Sequence, residues 1–163
     1  MPNPTFKVLA KQDFSAVSSV SFDNVFNSTM KEYKIVVNSS SSVDGNIGYR
    51  LRVAGVDNSS AVYNSQYSQF SSTSRVAATD QTTYNFMGIN NTDVKNIIVF
   101  EILNPFQTEY TTSFTLASVA SVGNIYNATA GQGIDVNTSY DGITIRTVSG
   151  TFTGTATIYG WVF

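Results

Sequence analysis

Residues 149–163 read SGTFTGTATIYGWVF and alternate strictly between two kinds of side chain. From Thr153 to Phe163, threonines and aromatic residues fall on one side, whereas small and aliphatic residues such as Ala156 and Ile158 fall on the other. A period of two is that of a β-strand, and neither side of this strand is charged. We expect the side with Ala156 and Ile158 to face a core, and Tyr159 and Trp161 to lie near an interface or to close the end of the core.

Other segments of the chain have the same character, and none has the period of a helix. The clearest is 47–53, where Ile47, Tyr49, Leu51 and Val53 alternate with arginines, while 96–103 is apolar on both sides and is typical of a central strand or an interface. About eight strands at this spacing predict an all-β fold, a single-domain, jelly-roll-like antiparallel β-sandwich. The predicted strands are 5–11, 16–22, 33–37, 47–53, 96–103, 111–119, 143–148 and 149–163, the last two pairing across Ser149 and Gly150.

The chain divides into an N-terminal extended arm, 1–12, and a β-sandwich domain, 13–163. Pro2 and Pro4 favour an extended start, and the short lead into the sandwich leaves no room for a fibre shaft. Polar residues predict loops or turns at 38–42 and 131–133, and a long one from 56 to 83. Long loops are often contact sites, so the aromatic residues of 56–83 either anchor a partner or ligand, or else plug the end of the sandwich or sit on a short helix.

The composition excludes several kinds of partner. Charged residues make up 12% of the chain, the net charge is −2, and the nine lysines and arginines are scattered, so we expect no nucleic acid partner. No apolar run is long enough to span a membrane, and the start of the chain is not that of a signal peptide. Ser, Thr and Asn make up roughly a third of the residues, well above the usual share. Removing such a neutral polar surface from water costs little free energy, so it suits subunit contacts or sugar ligands.

The chain contains no cysteine and no histidine. This removes thiol chemistry, disulfides, most zinc sites and every histidine-based triad. Hydrolysis by two carboxylates needs no histidine, and Glu101 is the one acid within a strongly apolar strand, but no converging second group is visible in the sequence. We therefore expect no enzyme activity, no cofactor and no metal.

Aromatic and arginine side chains are the candidates for contact with a partner or ligand, because both types are enriched where proteins meet other molecules. Arg50 and Arg52 share the outward side of one strand, and Tyr159 and Trp161 share one side of another. The full set of candidate contacts is Phe6, Arg50, Arg52, Tyr63, Tyr67, Tyr159 and Trp161.

Several segments resemble small virion proteins of tailed bacteriophages. The ending 149–160 is similar to the C-terminal strand pair of head-decoration and fibre-tip proteins. Upstream, 22–26 (FDNVF), 33–37 (YKIVV) and 49–55 (YRLRVAG), with Tyr63 after them, look like the Y-x-I … R-x-R-x-x-G … Y layout of such proteins. Together these segments cover less than half of the chain.

The resemblance implies a trimeric, jelly-roll-like sandwich displayed on a virion. The leading hypothesis is a capsid decoration, or cement, protein that is made in the host cytoplasm. It would sit on the capsid surface as a homotrimer and clamp the major capsid protein with the help of its arm. The first alternative is a fibre or receptor-binding knob that recognises host glycans by tyrosine and tryptophan stacking. A carbohydrate-binding module of a non-viral protein is the second alternative.

Overall fold

The structure is a computed structural model that describes residues 5–71, 75–92, 94–121 and 124–162. The described residues form thirteen β-strands and no helix, which confirms the all-β class. The strands are β1 (Thr5–Val17), β2 (Ser19–Phe22), β3 (Glu32–Ser41), β4 (Gly45–Val53), β5 (Val56–Asp57), β6 (Tyr63–Phe70), β7 (Arg75–Thr82), β8 (Asn85–Asn90), β9 (Asn96–Leu103), β10 (Thr111–Ser121), β11 (Asn124–Ile134), β12 (Gly142–Thr147) and β13 (Phe152–Val162).

The order of the strands in two antiparallel sheets is that of a jelly roll. The large sheet has the order β1-β13-β3-β9-β10-β11-β6-β7, and the small sheet has the order β2-β12-β4, with β5 and β8 both paired to β4. The chain crosses between the sheets as it proceeds, because β1, β3, β9 and β13 belong to the large sheet while β2, β4, β8 and β12 belong to the small one. The predicted jelly-roll-like sandwich is therefore confirmed.

The jelly roll has eight strands, four in each sheet, and two hairpins add four further strands to the large sheet. The hairpin β6–β7 is inserted between β5 and β8, and β10–β11 lies between β9 and β12. These four strands lie side by side at one end of the large sheet, and β8 packs on the inner side of three of them, β10, β11 and β6.

The core lies between the sheets and is built from the alternation seen in the sequence. Ala156 and Ile158 of β13 are fully buried, as predicted, and Ile98, Phe100 and Ile102 of β9 fill the centre. β9 pairs with β3 on one side and β10 on the other, so the prediction of a central strand is confirmed. In β4 the predicted inward residues Ile47, Tyr49 and Leu51 are buried, but Val53 is exposed because the strand ends there.

The predicted pairing of the last two strands is wrong. β12 lies in the small sheet between β2 and β4, whereas β13 lies in the large sheet between β1 and β3. Gly150, whose φ is 65°, allows the chain to turn and cross from one sheet to the other. Gly154 then permits a close approach of β13 to β3, because an added Cβ would overlap the backbone oxygen of Asn38.

Three predicted loops or turns are strands instead. The long loop 56–83 contains β5, β6 and β7; the serine cluster continues β3 as far as Ser41; and 131–133 lies inside β11. Each segment has an inward polar side chain that finds a partner in the interior: Ser39 Oγ donates to Asn90 Oδ1, Ser65 Oγ to Asn85 Oδ1, and Gln132 Nε2 to the backbone oxygen of Phe86. Polar composition alone therefore gave the wrong interpretation of these segments.

The predicted arm 1–12 does not end at a structural boundary. From Thr5 on, it is the first part of β1, which runs through to Val17 and pairs with β13 of the same chain. The reason is the backbone edge of β13, which is paired with β3 on one side and needs a partner on the other. Residues 1–4 of the arm lie outside the described residues.

A polar network joins the two sheets beneath β8. The Tyr49 hydroxyl donates to Ser113 Oγ at 2.8 Å and accepts from Asn85 Nδ2 at 2.8 Å, and Ser113 Oγ donates to Gln132 Oε1 at 2.8 Å. All four side chains are buried. Because an unpaired polar group in the interior costs about 1–3 kcal/mol, this network fixes how β4, β8, β10 and β11 are positioned relative to one another.

Burial raises the pKa of the Tyr49 phenol well above 10.0, the ordinary value for tyrosine, because the ionised form would lose its hydration. The same cause raises the pKa of Tyr63 and of Tyr33, although backbone N–H groups that donate to their hydroxyls oppose it. These three tyrosines are neutral in the folded protein at any pH near neutrality.

We expect the protein to lose stability at alkaline pH through these tyrosines. Above a pH of about 10 the unfolded chain releases the phenolic protons while the folded chain keeps them, so the free energy of unfolding falls as pH rises further. Urea unfolding at a series of pH values measures this slope. The variant Tyr49→Phe should have a shallower slope above pH 10, and an unchanged slope in that variant would contradict the assignment.

Candidate interaction surface

The outward side of the large sheet, which faces away from the small sheet, is called here the outer face. It gathers apolar side chains on β9, β10 and β11 that are between 44% and 61% exposed. Contiguous exposed apolar surface on a folded protein marks a site of contact with another molecule. The exposed apolar residues that these three strands place on the outer face are Ile97, Leu103, Phe114, Leu116 and Ile125.

Charged residues are absent from the described outward positions of three neighbouring strands, β10, β11 and β6. On β3 and β9 the same face carries Glu32, Lys34 and Glu101. Neutral hydroxyls and amides cost far less to remove from water than charged groups. The uncharged outward positions are Thr112, Phe114, Leu116, Ser118, Ile125, Asn127, Thr129, Gly131, Gly133, Asn64, Gln66, Ser68 and Phe70.

A depression of about 340 Å³ lies over Gly131 on β11, and is called here the glycine groove. Gly131 stands opposite Phe114 on β10 and opposite Gln66 on β6. The outward side chains of Gln66, Ser68, Ala77, Phe114 and Thr129 are among those that line the groove. Its neutral lining offers amide and hydroxyl groups on one side and an aromatic ring on the other.

A ridge borders the glycine groove on β10. It consists of Phe114, 48% exposed, and Leu116, 51% exposed, which are two positions apart and so project from the same side of the strand. A second depression of about 300 Å³ lies next to Leu116, with Ile97 and Val99 of β9 among its lining residues. The ridge is therefore an apolar protrusion flanked by open space.

Three of the sequence-predicted contact residues come together at the other end of the outer face. The ring of Phe6 on β1 packs edge-to-face against Trp161 on β13, with centroids 4.3 Å apart, and lies 6.4 Å from the Tyr159 ring. Lys34 Nζ is 5.7 Å from the Phe6 centroid, within range of a cation–π interaction. Phe6 is 42% exposed, so this aromatic cluster is open to solvent.

The two predicted arginine contacts are outward, but their guanidinium groups are engaged within the chain. Arg52, whose side chain is 13% exposed, pairs with Asp23 at 2.7 Å and with Asp57 at 2.5 Å. Arg50 Nε donates to the backbone oxygen of Thr83 at 2.8 Å. Arg52 therefore holds the β4–β5 turn in place, and its guanidinium group is not free to bind a carboxylate or a sugar acid.

The two predicted tyrosine contacts of the 56–83 segment point into the sandwich. Tyr63 is fully buried, and its hydroxyl accepts from the Leu51 N–H at 3.0 Å and donates to the Asn58 oxygen at 2.8 Å. The Tyr67 ring stacks on Phe86, with centroids 4.5 Å apart and planes 24° apart. The structure therefore supports the alternative in which these aromatics close the core, and not a contact loop.

The acid singled out in the sequence, Glu101, lies on the outer face. It shares a shallow depression with Glu32, its diagonal neighbour across β3 and β9, and is paired with Lys34 at 3.5 Å. Its side chain is 43% exposed, whereas a general acid in glycoside hydrolysis needs an apolar surrounding that favours the protonated form. The geometry therefore favours a surface ion pair for Glu101.

Neither a cluster of metal-ligating side chains nor a membrane-spanning helix occurs in residues 5–71, 75–92, 94–121 and 124–162. This part of the chain has no group of three or more Asp, Glu, His or Cys residues placed to hold a metal ion. Within the same ranges, no helix is long and apolar enough to cross a bilayer.

Comparison with known proteins identifies no relative from which a function could be transferred. No family model matches the chain, and no curated protein matches it. Among solved structures, it is similar to a protein of unknown function from Shewanella oneidensis MR-1. That likeness has a TM-score of 0.33 and 9% identity, and covers 98% of this chain and 76% of the other. The surface described above therefore stands on its own geometry.

Proposed function

We propose that this protein is a structural subunit that works by assembly, as a homotrimeric decoration protein on a bacteriophage capsid. The observation that carries the assembly part is the outer face, where three adjacent strands offer apolar and neutral polar groups and no charge at their described outward positions. The cores of subunit interfaces are depleted of charge and enriched in apolar and aromatic residues.

The virion part of the proposal rests on the resemblance of 149–160 and the upstream segments to tailed-phage virion proteins. A jelly roll whose large sheet is widened to eight strands suits such a role, because it provides a broad contact surface. Its partner would be the major capsid protein. If it binds only to the assembled shell and not to free capsid subunits, binding stabilises the shell by mass action.

Size-exclusion chromatography with light scattering tests the assembly part. We expect a mass of three subunits at micromolar concentration, and a monomer at all concentrations would overturn the proposal. Imaging of intact particles with the protein labelled tests the virion part. Label confined to the head supports a decoration protein, whereas label at the tail tip would replace it with the fibre-knob alternative.

The alternative of glycan recognition, in a fibre knob or a free carbohydrate-binding module, is favoured by the aromatic cluster of Phe6, Tyr159 and Trp161. Aromatic faces stack on sugar rings, and this cluster is solvent-exposed at the edge of the large sheet. However, the edge-to-face packing of Phe6 on Trp161 occupies part of both rings. This alternative would be favoured over assembly if the protein is a monomer that binds glycans and if the variant Trp161→Ala no longer binds them.

A further inference from the structure

Two glycines in the middle of β11 have no explanation within the chain. Most strand glycines here are required: at Gly142, Gly154 and Gly160 an added Cβ would collide with neighbouring atoms. At Gly131 and Gly133 an added Cβ would meet nothing within 4 Å. Neither has a positive φ among the described backbone angles, so no turn demands them.

A glycine inside a strand costs about 0.5–1 kcal/mol relative to alanine. Such a glycine often marks a place where a ligand or another backbone comes close. A large aromatic side chain on the neighbouring strand can also cover a strand glycine, and Phe114 stands directly opposite Gly131. The Phe114 ring, however, does not come within 4 Å of the Cβ position of Gly131. The space over Gly131 is therefore open to a group from outside the chain.

The ridge and the glycine groove make the outer face complementary to itself. The ridge residue Phe114 and the groove residue Gly131 lie on adjacent strands, so every copy of the chain carries both a protrusion and a depression of about 340 Å³. Because β10, β11 and β6 carry no charge at their described outward positions, two such faces can approach without like-charge repulsion.

We propose that a second copy of this chain occupies the glycine groove, with the Phe114 ring of one subunit seated over Gly131 of the next. The inference rests on the proposed function as an assembling subunit and names the contact through which assembly occurs. A second copy fits better than a sugar because Leu116 and Ile125, each more than half exposed, extend the apolar surface beyond the groove, toward one end of β10 and β11. A sugar would leave these side chains in water.

An exchange of charges tests the contact. The variant Phe114→Lys puts a positive charge on the ridge, and Gly131→Asp puts a negative charge in the groove. Each variant alone should associate at least about tenfold more weakly than the wild type, a loss of about 1.4 kcal/mol per contact. In a mixed ring of three, one contact joins lysine to aspartate, a second keeps the native phenylalanine over glycine, and only the third is disturbed. A one-to-one mixture should therefore recover part of the association.

The mass of each sample, measured by light scattering over a concentration series, is the readout, and Val56→Gln is the control. Val56 is 70% exposed on β5 of the small sheet, and its replacement should leave association unchanged. Circular dichroism establishes that both charge variants fold, and Gly131→Ala is a milder form of the groove variant. If the wild type associates while the two variants associate equally well, or if mixing restores nothing, the contact is wrong and the proposed assembly stands. A wild type that is monomeric throughout overturns both.

Discussion

Replacing Phe100 by alanine is expected to lower the free energy of unfolding by about 3–5 kcal/mol, the usual cost of emptying a large aromatic site in a core. Phe100 lies on the inner side of the central strand β9, is fully buried, and has its ring 4.5 Å from that of Tyr49. Truncation would therefore leave a cavity between the two sheets and loosen the support of the Tyr49 network. Urea unfolding monitored by fluorescence measures the loss.

The matched control is Phe114→Ala, the same substitution on the adjacent strand. Phe114 points outward and is 48% exposed, so in dilute solution the loss should stay below about 1 kcal/mol. The effect of Phe114→Ala should be on self-association instead. Equal losses of stability in the two variants at low concentration would contradict the assignment of inner and outer sides to the large sheet.

Replacing Gly154 by alanine is expected to cost about 3 kcal/mol or more, at the upper end of what overpacking produces. The new methyl group would overlap the backbone oxygen of Asn38, and a backbone atom cannot move aside without disturbing the pairing of β13 with β3. Since β13 also pairs with β1, the disturbance reaches both neighbours. Thermal and urea unfolding of the purified variant measure the effect.

Gly131→Ala provides the contrast for this prediction. A methyl group on Gly131 enters open space, and alanine restricts the unfolded chain more than glycine does. The isolated subunit should therefore unfold at the same urea concentration or gain up to about 1 kcal/mol. A large loss of stability from Gly131→Ala in the monomer would mean that the glycine serves the fold, and would remove the reason for placing a second subunit over it.

The sequence predicted those strands in which one side is apolar and the other polar. This was enough for β13 and most of β4, where Ile47, Tyr49, Leu51, Ala156 and Ile158 are all fully buried. It was also enough for the fold class, because a set of short alternating strands without helices has few ways to bury its apolar sides. The pairing of strands that are far apart in the sequence could not be predicted. β12 and β13 are consecutive, yet each lies in a different sheet and pairs with strands from the start of the chain.

Strands with polar interiors escaped prediction. In β6 and β11 the inward residues include Ser65 and Gln132, which are buried because they hydrogen-bond to Asn85, Ser113 and other groups across the sandwich. These partners lie on two other strands, β8 and β10, so no local pattern within β6 or β11 predicts them. The amino-acid composition of such a strand resembles that of a loop, which is why 56–83 and 131–133 were wrongly predicted to be loops or turns.

The ridge was missed for a related reason. In β10 the larger apolar residues Phe114 and Leu116 point outward, while the smaller residues Ser113, Thr115 and Ala117 point inward. Small inward residues are required because β8 packs closely there, to the point that an added Cβ on Gly88 would come within 2.8 Å of the Ala117 Cβ. Hydrophobicity alone assigns the wrong side of this strand to the core.

The position of β13 has a consequence for how the protein is made. β13 leaves the ribosome after the other twelve described strands, yet it lies between β1 and β3, which are among the first of them. Until residues 152–162 emerge, both early strands keep unpaired backbone edges that invite pairing with other nascent chains. The jelly roll therefore closes only after β13 has been synthesised, and a chain truncated before 152 should accumulate in aggregates.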